Sequence, residues 1–238
     1  MADKKLVLVG SRHNLTDIIY TAKDLGYEIL GMLDKHYYGN KDQIDGVPFI
    51  GSEEELSDPN SHWRQYDFFL ADWWDGSQDL KGTGIDGGVL RQKRIELLDA
   101  SGVNVVNLIH PDTYFYHNFD TVELGKGLLI LGGTHFTSNI KIGNYSVIDW
   151  GCKIGGETYI GNNVILGAFT ITGHVTIGDN ARIGVDCLLL PKGKNPITIG
   201  ENSVVFLTSK VFKDVPSNSI YTMHNKIRRR VDKIIKGN

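Results

Sequence analysis

The sequence predicts an α/β Rossmann-like N-terminal domain over residues 1–110, a left-handed parallel β-helix over 111–215, and a tail, 216–238, holding a short basic helix. Three observations carry this reading. Between residues 124 and 211, aliphatic side chains recur every six positions: Ile142, Ile148, Ile154, Ile160 and Leu166, then, after a one-residue slip, Ile171, Ile177, Ile183 and Leu189. Glycine follows most of them, as in Ile142-Gly143, Ile160-Gly161, Leu166-Gly167 and Ile183-Gly184. Upstream, an apolar run ending at Gly10, a helix-like stretch and a second apolar run ending at Asp34 outline a strand–turn–helix–strand unit.

A helix repeats about every 3.6 residues and a strand every two, so neither gives a sustained period of six. A chain coiling round a triangular prism does. Each hexad forms one face, its aliphatic residue fills the interior, and a small residue follows at the corner, where a Cβ would clash. Three hexads complete a coil, and stacked coils form parallel sheets.

Taken in order, residues 5–9 (KLVLV) read as a buried strand and 10–14 (GSRHN) as its turn. Residues 15–25 read as a helix that Asn14 can cap and Gly26 ends, and 28–33 as a second strand. In such a unit phosphate lies against the helix N-terminus, and the acid closing the second strand reaches a ribose or base. Only Gly10 of the full Gly-x-Gly-x-x-Gly pattern is present, so a purely structural α/β domain would read the same way. Residues 46–51 and 53–56 suggest a strand, a turn and a short helix, and 67–71 another buried strand. Trp73 and Trp74 then offer a stacking wall for a base or sugar, or a cover for a hydrophobic edge. A helix over 88–100 carries Arg91, Lys93 and Arg94, and 103–109 is the last strand of the domain. The prism begins at Tyr114. Residues 191–196 (PKGKNP) loop out of one corner, and 225–235 (NKIRRRVDKII) form a basic amphipathic helix.

Composition narrows the function classes. A net charge of −3 argues against a protein whose main work is gripping nucleic acid. Cys152 and Cys187, the only two cysteines, fall where they face or flank the prism interior, so a reducing compartment without a disulfide is expected. The apolar run near the N-terminus is too short for a signal peptide or a membrane span, which implies a cytoplasmic chain without membrane insertion. The histidines show no paired ligand spacing, so no metal site is expected.

These parts in this order resemble bacterial sugar acyltransferases of the hexapeptide-repeat superfamily that carry an N-terminal nucleotide-sugar domain. That group N-acetylates UDP- or GDP-linked 4-amino-sugars or O-acetylates sialic acid. The resemblance covers nearly the whole chain. It rests on the strand and turn up to Gly10, on Gly26-Tyr27, Leu33-Asp34, Gly46-Val-Pro-Phe-Ile-Gly51 and Leu108-Ile-His-Pro111, on the hexads, and on Val211-Phe-Lys-Asp-Val-Pro216. It implies a homotrimer with acetyl-CoA, the co-substrate, in the groove between adjacent β-helices, and a nucleotide-linked amino-sugar held by the front domain. By position it implies that Gly10, Ser11, His13 or Asn14, Asp34 and Lys35 line the nucleotide pocket. The family turn usually reads Gly-x-x-Gly-His; here the histidine sits one place early or is replaced by Asn14.

The family places a His-Glu or His-Asp pair just before an Ile-Gly hexad, where the histidine takes the proton of the attacking amine or hydroxyl. Aligned over residues 141–161, that pair falls on Gly156-Glu157: the acid is kept and the base is gone. A register one coil earlier puts the histidine at Trp150, beside Asp149. The C-terminal Gly-x-Pro-Ala loop of the family reads Thr222-Met-His-Asn225 here. His174 and His135 are the candidates to substitute, and Glu157, Asp149, water or the departing thiolate could also take the proton. A sugar amine is already nucleophilic, and its attack on a thioester needs mainly positioning and an oxyanion donor. A hydroxyl must lose its proton as it attacks. The missing base therefore favours N-acylation. Backbone N–H groups near Gly167 and Gly173 are expected to meet the thioester oxygen and pantetheine, with Trp150 beside that groove. The expectation is an acetyl-CoA-dependent N-acetyltransferase acting on a nucleotide-linked amino-sugar. The alternatives are a non-catalytic nucleotide-sugar-binding trimer, or an O-acyltransferase with a substitute base.

Overall fold

Leu6, Val7, Leu8 and Val9 of the first strand (β1, Lys4–Arg12) are all fully buried, the pattern of a central parallel strand covered on both faces. The computed structural model describes residues 4–12, 15–72, 87–116, 121–222 and 226–229. The chain divides into two compact units, Met1–Thr113 with Gly125–Gly132, and Tyr114–Leu124 with Gly133–Asn238.

In the first unit β1 leads to helix α1 (Leu15–Asp24), which turns Leu15, Ile18, Ile19 and Ala22 inward. Strands β2 (Tyr27–Leu33), β3 (Gln43–Ile44) and β4 (Val47–Gly51) follow, then β5 (Asp67–Asp72), helix α2 (Gly87–Ser101) and β6 (Asn104–Val105). The sheet order is β3-β4-β2-β1-β5-β6. All neighbours are parallel except β3 and β4. The chain starts in the middle, steps outward through β2 and β4, and returns to the other side with β5. Between β4 and β5 a 3-10 turn, Glu53–Ser57, is fixed by a capping box between Ser52 and Glu55.

The stretch 103–109 is not one strand. Asn104–Val105 belongs to this sheet, whereas Leu108–Ile109 pairs in parallel with Leu129–Ile130. Asn107 makes the break. Its side-chain amide donates to the Gly125 carbonyl at 2.8 Å and accepts the Leu128 N–H at 2.9 Å, occupying groups a straight strand would need for itself.

The second unit is a triangular coil of parallel sheets, each gaining one strand per turn, which fits the expected left-handed parallel β-helix. Its interior columns are aliphatic. Ile142, Ile160, Ile177 and Ile199 stack on one side, and Ile148, Leu166, Ile183 and Val205 on another. On the third, Phe136, Ile154, Thr172, Leu189 and Val211 point inward. Here the sequence reading is corrected: Thr172 is 2% exposed while Ile171 is 40% exposed. The hexads therefore run unbroken to position 172, and the slip falls at the next corner, Gly173-His174. Ladder register decides this, because Thr172 pairs with Ile154 and Leu189.

The glycines after the interior isoleucines answer to stacking. A Cβ on Gly143 would come within 2.6 Å of the Gly161 carbonyl carbon in the next coil. Left-handed backbone occurs one turn position away, at Asn139, Glu157 and His174 on one corner and at Asn163, Asn180 and Asn202 on another. Asparagine tolerates that region best, and its side chain can bond locally. The basic helix expected over 225–235 is also corrected. Ile227–Arg229 is a strand antiparallel to Ser219–Tyr221, and residues 223–225 and 230–238 lie outside the described residues.

Two predictions follow from the interior. The Thr172 hydroxyl has no hydrogen-bond partner among the described residues, so Thr172→Val should raise stability by about 1 kcal/mol, read as a higher denaturant midpoint at unchanged slope. Cys152 and Cys187 are free and buried, and burial pushes their thiols up to about 12 and about 11. Neither should react with a thiol reagent at pH 8 in the native protein, and both should react after unfolding.

Candidate functional site

In the first unit, the carboxyl ends of β1, β2 and β5 converge on one guanidinium. Arg94, carried inward by α2, sets Nη2 3.0 Å from Asp34 Oδ1 and 2.9 Å from Glu53 Oε1, and donates from Nη1 to Asp72 Oδ2 at 2.5 Å. Its Nε also donates to Glu53, at 2.9 Å. All four side chains are buried. Burial alone would push the guanidinium's pKa down, but the charges of Asp72, Asp34 and Glu53 more than reverse this and raise it. One cation among three carboxylates leaves negative charge in excess.

Two residues expected in a nucleotide pocket are built into this cluster. Ser11 donates its hydroxyl to Asp34 Oδ2 at 2.8 Å, and Asp34 Oδ1 also accepts the His36 N–H at 3.0 Å, so both carboxylate oxygens are already engaged. Gly10 has φ +83°, and a Cβ there would run into Asp72, which is why the turn needs glycine. The Lys35 side chain points outward to Glu54 at 2.5 Å, while its N–H donates to Glu53 at 2.7 Å. His13, Asn14, Trp73 and Trp74 lie outside the described residues. Sequence reasoning missed Arg94, Glu53 and Asp72. Helical spacing held the signal, since Arg91, Arg94, Ile95 and Leu98 share the buried face of α2.

In the second unit, the candidate catalytic residues divide between corners. Asn139, Glu157 and His174 occupy one, each with φ between 53° and 58°. The His174 N–H donates to the Gly156 carbonyl at 3.0 Å, and ladder register, with Tyr159 opposite Thr176, puts His174 in column with Glu157. Neighbouring strands stand about 4.8 Å apart, close enough for Glu157 and His174 to serve one reacting centre. Both side chains are exposed. A Cβ on Gly156 would meet the Ser138 carbonyl oxygen at 3.3 Å and the Thr137 hydroxyl at 3.7 Å, a snug but open position. Beside this corner a groove of about 260 Å³ is lined by Thr121, Glu123, Asn139, Ile140, Lys141 and Tyr159.

Asp149 and Trp150 sit at another corner, on the opposite end of the strand Lys153–Ile154. Asp149 is buried and accepts the Trp150 N–H at 2.8 Å. Trp150 is partly exposed, and its carbonyl accepts the Phe169 N–H at 2.8 Å. Asp149 is thus separated from the Glu157–His174 pair within one chain. The Gly167 N–H donates to the Ile183 carbonyl at 2.8 Å, so that group is itself engaged within the coil. Gly173 lies at the Glu157–His174 corner, with its Cβ position 3.5 Å from Leu190. His135 stands on a flat face against Tyr114, ring centroids 5.7 Å apart, away from that corner. Among the described residues no cluster of metal-ligating side chains occurs, and no helix is long and apolar enough to cross a membrane.

No family model matches the chain. Over 135 residues it is 36% identical to the bifunctional protein GlmU of Thermosipho africanus, covering 49% of this chain and 29% of that one. The GlmU of Geotalea uraniireducens is 30% identical over 159 residues, 59% of this chain and 30% of that one. The chain thus spans about three tenths of the length of these curated relatives. Among solved structures, a histidine-to-asparagine mutant of perosamine N-acetyltransferase from Caulobacter crescentus, in complex with CoA and GDP-perosamine, superposes with a TM-score of 0.77. It is 23% identical, covering 95% of this chain and 98% of that one. WeeI from Acinetobacter baumannii gives 0.74 at 21% identity over 94% and 100% of the two chains. The acetyltransferase domain of PglB from Neisseria gonorrhoeae, in complex with acetyl coenzyme A, gives 0.60 at 19% identity over 93% and 97%. These likenesses establish a shared fold along nearly the whole chain.

The ion cluster yields a prediction. Arg94→Met leaves three buried carboxylates without their cation and should destabilise the protein by about 3–5 kcal/mol, measured by denaturant unfolding. Lys35→Met, which removes an exposed pair, should change stability by less than about 1 kcal/mol.

Proposed function

We propose that the protein is an acyltransferase that moves an acetyl group from acetyl-CoA to the amine of a nucleotide-linked amino-sugar. The observation that carries this is the corner where His174 follows Glu157 in one column and its N–H bonds the Gly156 carbonyl, in a fold shared with enzymes whose structures hold CoA and GDP-perosamine. The parallel order β4-β2-β1-β5-β6 supports a Rossmann-like role for the first unit, with ligand at the carboxyl ends where the strand order reverses. The amine lone pair attacks the thioester carbonyl carbon, and the π electrons move onto oxygen. When the tetrahedral adduct collapses, the C–S bond breaks and the thiolate leaves. The ammonium proton passes to His174 or, through water, to Glu157, and from there to the thiolate. In this reading His174 supplies from the next coil the base that position 156 does not carry. Amine acylation tolerates the displacement better than hydroxyl acylation, because the amine attacks before it loses its proton.

Self-association belongs to the same reading. Trp150, Phe169, Val185 and Leu207 are exposed apolar side chains at successive turns of one corner, a continuous ridge that a homotrimer would cover. The two free, buried cysteines suit a reducing, cytoplasmic compartment.

The test is free-thiol release from acetyl-CoA with a panel of UDP-, GDP- and dTDP-linked amino-sugars. At least one acceptor should give turnover, His174→Ala should lower kcat by about 10²-fold, and Gly156→His should raise it by about tenfold or more. No release with any acceptor at high enzyme concentration would sink the proposal. Gly156 also favours a second reading, a non-catalytic nucleotide-sugar-binding trimer. Calorimetry that found nucleotide-sugar binding without acetyl-CoA binding would select it.

A further inference from the structure

The proton-transfer step uses the corner of Glu157 and His174 but not the groove beside it. That groove, of about 260 Å³, lies on the outer face of the strands Val122–Leu124, Ile140–Ile142 and Thr158–Ile160. Ladder register explains how its lining residues meet. Glu123, Lys141 and Tyr159 stand opposite one another on successive coils, so they form one outward column. Asn139 opens the corner column, with Glu157 one coil further on and His174 two. A coil step is about 4.8 Å, so a ligand seated against Asn139 has Glu157 one step away.

The lining narrows the chemistry of that ligand. Lys141 Nζ and Glu123 Oε2 pair at 2.7 Å, so their charges cancel within the groove. Glu157, at the adjoining corner, adds a negative charge, which favours an ammonium and repels a phosphate. The Tyr159 side chain is 42% exposed and leaves aromatic surface for the C–H face of a ring. Thr121 Oγ1 is buried without a hydrogen-bond partner among the described residues, a condition native structures seldom leave unanswered. The volume falls below the range of about 300–1,000 Å³ common for sites of drug-sized ligands, so the groove suits a single ring better than a nucleotide.

We infer that this groove seats the sugar ring of the acceptor, its C–H face on Tyr159, its hydroxyls on Thr121 and the Lys141–Glu123 pair, and its amine toward Glu157. The inference rests on the acyltransferase reading and names the acceptor more closely: a sugar that keeps its hydroxyls is taken in preference to a deoxygenated one. A site built to bond a hydroxyl rejects the analogue without it, because its own polar groups are then left unpaired.

Thiol release by the full chain would be followed with UDP-, GDP- and dTDP-linked 4-amino-sugars, each fully hydroxylated, 3-deoxy or 6-deoxy. Wild type, Tyr159→Ala and Thr121→Val would be compared, with CoA affinity measured by calorimetry. Tyr159 is exposed and valine keeps the shape of threonine, so an unchanged melting temperature would show that each variant folds. Tyr159→Ala should raise the acceptor KM about tenfold and leave CoA affinity unchanged. Wild type should favour the hydroxylated acceptor over at least one deoxy form, and Thr121→Val should raise its KM about fivefold and narrow that gap.

Turnover with an acceptor KM that neither variant moves would overturn the inference and leave the acyltransferase reading standing. Equal use of all three sugar forms by wild type, or a preference for a deoxy form, would do the same. Weakened CoA binding in Tyr159→Ala with the acceptor KM intact would assign the groove to the donor and also overturn it. Absence of thiol release by wild type with every acceptor would overturn the acyltransferase reading itself.

Discussion

Backbone hydrogen bonding between successive coils governs the second unit. At each corner a left-handed residue sends its N–H to a carbonyl of the neighbouring coil, as His174 does to Gly156 and Asn180 to Asn162. The groups freed by turning the chain are satisfied by stacking it. Stacking also sets the close approach that admits only glycine at Gly143 and Gly161. Because the coils cannot shift independently, residues far apart in sequence are held in fixed columns. Asn139, Glu157 and His174 come to share one corner column in this way.

The first unit answers to a different constraint. Strand ends of a parallel sheet gather polar groups, and here they gather carboxylates from three strands or strand ends around Arg94. A buried ion cluster of this kind adds little stability compared with an apolar core, but losing its cation is costly. Its consequence is positional. Asp34 is held by Ser11, the His36 N–H and Arg94, and Gly10 is pinned beside Asp72. The carboxyl end of β1, at Gly10 and Ser11, is therefore held against the charged cluster.

The hexads made the coil legible, since neither a helix nor an ordinary strand sustains a period of six. The slip was misplaced because isoleucine outranks threonine in hydrophobicity, whereas cross-coil register puts Thr172 inside and Ile171 outside. The strands of the first unit were readable from their apolar runs, and the break at Asn107 was not, because a side-chain amide standing in for backbone leaves no periodic trace. The Arg94 cluster joins residues from four separate segments, so only the helical spacing of two arginines could have hinted at it. The pairing of Glu157 with His174 depended on which corner absorbs the slip. Spacing alone could not reveal it.

The central claim is that acyl transfer takes place at the Glu157–His174 corner. The most direct measurement is a crystal structure of the protein soaked with acetyl-CoA. The account predicts the thioester carbonyl within reach of the His174 imidazole, beside Glu157. A donor whose thioester lay against Asp149 and Trp150, on the far end of the strand Lys153–Ile154, would contradict it.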